Sequence, residues 1–313
     1  MNALGFLQSG GPKAATSVLH AACTSGNDAI LEFLIDTGAD VNGIGRLAIN
    51  DSITLPDTAA GVKPISTALL AAASLGHTTI VERLTDDGAD LNVVGCMQLA
   101  TLVSIAPTIR ITPCDQRPGK SACMLVASAL HAASTYGHEI IVRALPKGGA
   151  AVDVFGYHPN GESFTALWVA CEAGDPEVAI EMLESGASKL DANPEHRNPL
   201  ISAILGGLVN VVALLIKAGI DVNARASGAS ALGLAAANGR VPIVGVLSKA
   251  GAYTGFDDYH GHTALMIASA EEHMDVVEAF LDEAGGQRSA IPGFEQAIDL
   301  AAKRDMRLLS MCY

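Results

Sequence analysis

Few residues in this chain stand at spacings that chemistry would use. Pro118-Gly119-Lys120-Ser121 holds the glycine, lysine and hydroxyl with which a loop can cradle phosphate. Such a loop also needs a glycine where Cys114 stands, a strand before it and a helix after it to aim backbone N–H groups. Those flanks are not evident, so no nucleotide site is expected. Cys96, Cys114, Cys123 and His131 are four candidate zinc ligands, but no Cys-x-x-Cys pair pins two thiolates locally, and no metal is expected. His20 and His131 are candidate bases, yet no nucleophile, base and orienting acid can be assembled around either. The pairs Asp86-Asp87, Asp257-Asp258 and Glu271-Glu272 read as solvated turns. The expectation is a chain with no catalytic residues and no cofactor.

Aromatic residues make up 4% of the 313 residues, yet Tyr136, Phe155, Tyr157, Phe164 and the single Trp168 fall within 33 positions. His158, Glu162 and Glu172 are the polar groups nearby. Two readings stand side by side. The rings fill space inside the fold, as large apolar residues do by default, or they form a recognition patch, since Trp and Tyr dominate binding hot spots and line ligand pockets.

The elements that must position these residues follow from a repeat. A leucine opens a small-residue run at Leu19, Leu69, Leu130, Leu167, Leu200, Leu232 and Leu265, with Ile298 as an eighth mark. A glycine lies 19 residues after each of the first six: Gly38, Gly88, Gly149, Gly186, Gly219 and Gly251. All variation in length falls after that glycine. Between the marks, a short helix ends near a glycine such as Gly26 or Gly137, suited to a left-handed C-cap. A second helix then carries apolar pairs such as Ile80-Val81 and Val211-Val212. Asp175-Pro176 reads as an N-cap followed by the first helical position. The unit is helix, turn, helix, then an extended connection. Stacked units need only their neighbours, which lets a chain of this length avoid a single large core.

Ser17-Val18-Leu19-His20-Ala21-Ala22, Ser128-Ala129-Leu130-His131-Ala132-Ala133 and Thr263-Ala264-Leu265 open units, and Gly38-Ala39-Asp40-Val41-Asn42, Gly88-Ala89-Asp90-Leu91-Asn92 and Gly219-Ile220-Asp221-Val222-Asn223 close them. With these motifs the chain resembles the ankyrin repeat family over residues 16–309. The Thr-Pro-Leu-His of the family is nowhere intact, Trp168 stands at its histidine position in one unit, and Glu272 stands where glycine is expected. The resemblance implies an all-α ankyrin-repeat solenoid of seven to eight helix-turn-helix units with two long finger-loop insertions. It also implies inner helices lining a concave face, a structural role for His20 and His131, and protein partners. The expected organisation is an N-terminal segment 1–15, a repeat domain 16–309 with insertions 43–65 and 93–127, and a tail 310–313. The last unit reads as a polar cap.

The insertions exceed the 33-residue period by 17 and 28 residues, and long insertions in repeat proteins commonly map to the binding face. The second carries the apolar stretch Leu99 to Ile109, which should be covered by something. By register Leu75, Thr135, Tyr136 and Glu172 fall at groove positions. The expected contact set is therefore Tyr136, Phe155, Tyr157, His158, Phe164, Trp168, Glu172, Leu75 and Thr135. A net charge of -14 argues against a nucleic-acid partner, which needs a basic face. Asn198 to Ile216 is uncharged for 19 residues but is interrupted by Gly206-Gly207, so it reads as two short helices and not a membrane span. Met1 to Pro12 has no secretory signature, and six dispersed cysteines suit a reducing compartment, so a cytoplasmic or nuclear setting is expected. The function expected is a non-catalytic scaffold binding a partner protein. The alternative is an enclosed aromatic pocket under the fingers, taking an apolar small molecule and acting as an isomerase or cyclase.

Overall fold

The computed structural model describes residues 12–46, 65–98, 124–157, 163–187, 198–226, 228–255, 261–283 and 291–303. They form two compact units, Met1–Ser188 and Lys189–Tyr313. In the first unit the inner helices are α1 (Pro12–Ser25), α3 (Ala68–Leu75), α5 (Ala129–Thr135) and α7 (Ala166–Ala173). Each is followed by an outer helix: α2 (Asp28–Asp36), α4 (Thr78–Asp86), α6 (Glu139–Lys147) and α8 (Pro176–Glu184). Inner helices pack on inner and outer on outer, in chain order. The second unit repeats the scheme with inner helices α9 (Pro199–Gly206), α11 (Ala231–Ala237) and α13 (Ala264–Ala270), outer helices α10 (Val209–Lys217), α12 (Val241–Lys249) and α14 (Met274–Glu283), and a last helix α15 (Phe294–Lys303) on α13. The uncharged run from Asn198 to Ile216 is thus α9 and α10 about Gly207, and among the described residues no helix is long and apolar enough to cross a membrane.

The inner helices are short because both ends are written into the sequence. Thr67 and Thr165 accept from the backbone N–H of Leu70 and Trp168 to start α3 and α7, and Gly76 ends α3 at φ 77°. Alanines at buried positions, such as Ala72, Ala73, Ala132, Ala133 and Ala170, let neighbouring inner helices come close. The leucine of each unit, from Leu19 to Leu265, is at most 2% exposed. Glu272 keeps the turn at φ 64° without being glycine, a conformation that strains a side chain by about 1 kcal/mol.

Two ladders of contacts join consecutive repeats. In the Gly-Ala-Asp-x-Asn closures, Asp40 accepts from the Asn42 N–H and Asp90 from the Asn92 N–H. The freed Asn side chain reaches the next repeat, Asn42 Oδ1 accepting from Asp90 N at 2.6 Å and Asn92 Oδ1 from Ala151 N at 2.8 Å. Asn223 does the same for Tyr253 N in the second unit. At the opposite end of the repeat, the residue after an inner-helix turn lies over the glycine of the turn before it at five places: His77 on Gly26, His138 on Gly76, Asp175 on Gly137, Arg240 on Gly207 and His273 on Gly239. Three of these side chains donate to the carbonyls that the preceding helix leaves open, His138 to Ser74 O, Arg240 to Leu205 O and His273 to Ala237 O.

The extended connections pair as antiparallel strands, a feature that helical periodicity does not reveal. β1 (Ile44–Arg46) pairs β2 (Ile65–Thr67) at the base of the first insertion. β3 (Gly95–Gln98) and β4 (Met124–Ala127) do so at the base of the second. That hairpin is joined by β5 (Gly156–Tyr157) and β6 (Ser163–Phe164) into a four-stranded sheet, with Val126 opposite Tyr157. In the second unit β7 (Arg225–Ala226) pairs β8 (Ala229–Ser230). The apolar stretch 99–109 and the 118–121 run lie outside the described residues.

Candidate interaction surface

His131 is held by its chemistry and not offered to solvent. Its Nδ1 accepts from Ser128 N at 3.4 Å and contacts Ser128 Oγ at 2.8 Å, while Nε2 donates to Phe164 O at 3.3 Å. An accepting Nδ1 and a donating Nε2 define a neutral ring. Burial pushes this imidazole from 6.5 down to about 4, partly opposed by the bond to Phe164 O. With both ring nitrogens occupied, His131 is neither a zinc ligand nor a base but a latch from repeat three to the next finger.

The latch explains where the aromatic residues go. Phe164 packs edge-on to His131 with ring centroids 5.3 Å apart, and Trp168 lies 6.0 Å from Phe164. Gly156 makes room, since a Cβ there would stand 2.6 Å from Phe164 Cζ. The structure therefore places Phe164 and Trp168 inside the repeat stack, at 1% and 7% exposure. Thr135 is inside too, its Oγ1 donating to His131 O at 2.7 Å. These three side chains, expected as contacts, pack within the repeats and leave little of their surface for a partner.

Other members of the expected set do reach the surface. Leu75, Phe155 and Tyr157 are 49%, 39% and 41% exposed. Tyr136, half-buried, stacks on His138 at 6.2 Å, and His138 is the ring bonded to Ser74 O beside Leu75. Glu172 is half-buried and, after burial itself, helps push the neighbouring Cys171 thiol up to about 12. His158 and Glu162 lie outside the described residues. Tyr157 is anchored through Val126 just before α5, whereas Tyr136 caps the far end of α5. The two therefore sit at opposite ends of a seven-residue helix, about 10 Å apart along its axis. The arrangement presents two apolar side chains at either end of the helix α5, whose own residues are mostly small.

Patterns of the ankyrin repeat match residues 17–43, 66–96 and 260–290, and a pattern of three ankyrin copies matches residues 130–226. The chain belongs to the ankyrin repeat family. Its ankyrin repeats are 32% identical over 173 residues to the B-cell lymphoma 3 protein homolog of Mus musculus, an alignment covering 54% of this chain and 38% of that protein. Among solved ankyrin structures, the ankyrin repeat domain of Bcl-3 superposes with a TM-score of 0.55 at 24% identity, covering 83% of this chain and 97% of that one. The human ASB11 ankyrin repeat domain gives 0.54 at 20%, covering 83% and 96%. This chain thus spans well under half the length of the curated relative, and the two solved structures speak to fold alone.

Sequence reasoning missed the side chains laid over the ankyrin turns and the apolar residues exposed elsewhere, Ile30, Phe33, Ile140 and Tyr253. A signal existed for Phe33, which stands where the following repeats carry Arg83, Ala144 and Glu181.

Proposed function

We propose that this ankyrin chain is a non-catalytic scaffold that holds a partner protein across Leu75, Tyr136 and Glu172 at the inner-helix ends and Phe155 and Tyr157 on the finger, in a cytoplasmic or nuclear setting. The observation that carries the reading is the exposure of large apolar side chains on repeats two and three of a chain poor in aromatics. Membership of the ankyrin repeat family, with 32% identity to the B-cell lymphoma 3 protein homolog over 173 residues, supports a protein as the partner. Anchors about 10 Å apart suit an extended partner segment with apolar residues roughly three positions apart, and the small neutral residues between favour a segment of low charge.

The test uses peptides selected from a random library for binding to the full chain. Tyr136→Ala and Tyr157→Ala are expected to weaken those peptides by about 2 kcal/mol, roughly 30-fold, with circular dichroism unchanged. Glu82→Ala, on an outer helix, should leave them alone. Affinities unmoved by both tyrosine changes would place the site elsewhere.

A further inference from the structure

Two places before the turn that ends each inner helix, the chain carries Thr24, Ser74, Thr135 and Glu172 in the first unit and Leu205, Ala237 and Ala270 in the second. In the first three repeats this residue is a hydroxyl that closes on its own helix. Thr24 Oγ1 donates to Ala21 O at 2.9 Å, Ser74 Oγ to Ala71 O at 2.9 Å and Thr135 Oγ1 to His131 O at 2.7 Å. Glu172 breaks the series, because a carboxylate has no proton to give a carbonyl.

The surroundings of Glu172 do not neutralise it. It lies half-buried in the last turn of α7, at the negative end of the helix dipole, where an acid is disfavoured. Among the described residues it has no ion pair: Arg83 is held by Asp36 and Asp87, and Arg143 by Glu139 and Glu181, along the outer helices. Asp175 adds a second carboxylate, its Oδ1 accepting from Val178 N and its Oδ2 lying over Gly137, next to Tyr136. His138, stacked on Tyr136, supplies no cation at neutral pH, since burial lowers its pKa from 6.5.

This charge adjoins the apolar side chains of the candidate surface. Leu75 and Tyr136 stand at the same place in repeats two and three, each just before the turn glycine, and α3, α5 and α7 pack in that order. Packed helix axes lie roughly 8–10 Å apart and an extended chain advances about 3.3 Å per residue, so one repeat corresponds to about three partner residues. We propose that the partner segment carries a lysine or arginine that pairs with Glu172, about three residues beyond the side chain resting on Tyr136 and about six beyond the one on Leu75. The proposal rests on the scaffold reading above and gives it an order across repeats two, three and four: apolar, apolar, basic. An uncharged segment laid over Glu172 would strip water from the carboxylate without replacing it. A guanidinium or ammonium supplies the missing partner.

Peptides selected from a random library on the full chain test this. Lysine or arginine should be enriched at one position about three residues from an apolar one. Glu172→Gln should weaken the selected peptides by about tenfold, and should leave unchanged the same peptides once that basic residue is replaced by methionine. Glu172→Lys should in turn bind peptides that carry glutamate there. The free Glu172→Gln chain should unfold at slightly higher urea concentration, because an uncompensated charge has left the end of α7. Peptides that Tyr136→Ala weakens and Glu172→Gln does not would overturn this inference and leave the scaffold reading standing. Peptides indifferent to both Tyr136→Ala and Tyr157→Ala would remove that reading and this one with it. A Glu172→Gln chain less stable than the wild type also overturns the inference, by assigning the carboxylate a partner within the chain.

Discussion

His131 shows how one side chain can join two repeats while remaining chemically inert. Its imidazole is held at about 4 against an ordinary 6.5, so between those values the unfolded chain takes up a proton that the folded chain refuses. Stability should be full above about pH 6.5 and fall as pH drops towards 4, by on the order of 3 kcal/mol for this residue. His20 and His138 are shifted in the same direction, by burial first, and steepen the decline. His131→Leu, which loses the bonds to Ser128 and Phe164 O, should cost about 2 kcal/mol at neutral pH and flatten the slope, as urea titrations across pH would record. The thiols of Cys23 and Cys171, pushed up to about 12 by burial, should resist alkylation until the repeats open. The structural role of His131 was legible through the resemblance of Ser128-Ala129-Leu130-His131-Ala132-Ala133 to the motif of the family. The burial of Phe164 was not, since it depends on Gly156 leaving a gap across a strand pair.

At the scale of the element, the turn between inner and outer helix is the unit of design. Gly76→Ala meets two obstacles, the left-handed φ of 77° and His138 Cε1 at 2.7 Å from the new Cβ, whereas Gly88→Ala has nothing within 4 Å and meets only its φ of 82°. The first should cost about 2 kcal/mol and the second about 1 kcal/mol, and a difference of the opposite sign in chemical denaturation would discredit the overlap of His138 on that turn. Conversely, Glu272→Gly should stabilise by roughly 0.5–1 kcal/mol, by releasing a strained non-glycine residue. Helix positions were readable from leucine, glycine and proline marks because each mark acts within one turn of chain. The four-stranded sheet was not, because pairing Val126 with Tyr157 joins residues from two different connections, a register that local spacing leaves open.

At the scale of the molecule, stability is spread over neighbours. Removing residues 274–313 takes away α14 and α15 and should reduce the helical circular dichroism in proportion, leaving a cooperative transition at lower denaturant. An all-or-none loss of signal would contradict nearest-neighbour stacking. The period made the ankyrin assignment readable across the chain, since every repeat restates it. Which side chains reach the surface was less so: of the expected contacts, Leu75, Phe155 and Tyr157 lie open, and Phe164, Trp168 and Thr135 turn inward because neighbouring repeats, not sequence position, decide burial.

The overlap of one repeat on the turn before it has a consequence for shuffling these units as cassettes. If repeat three were excised, Asp175 would arrive over Gly76 in place of His138, and a carboxylate has no proton to give to Ser74 O and sits on the negative end of α3. The repeats are alike in outline but not interchangeable at this position: His138 donates to Ser74 O, whereas Asp175 lies over the turn at Gly137 without a proton to give, so the splice would leave Ser74 O without the bond it has in the intact array.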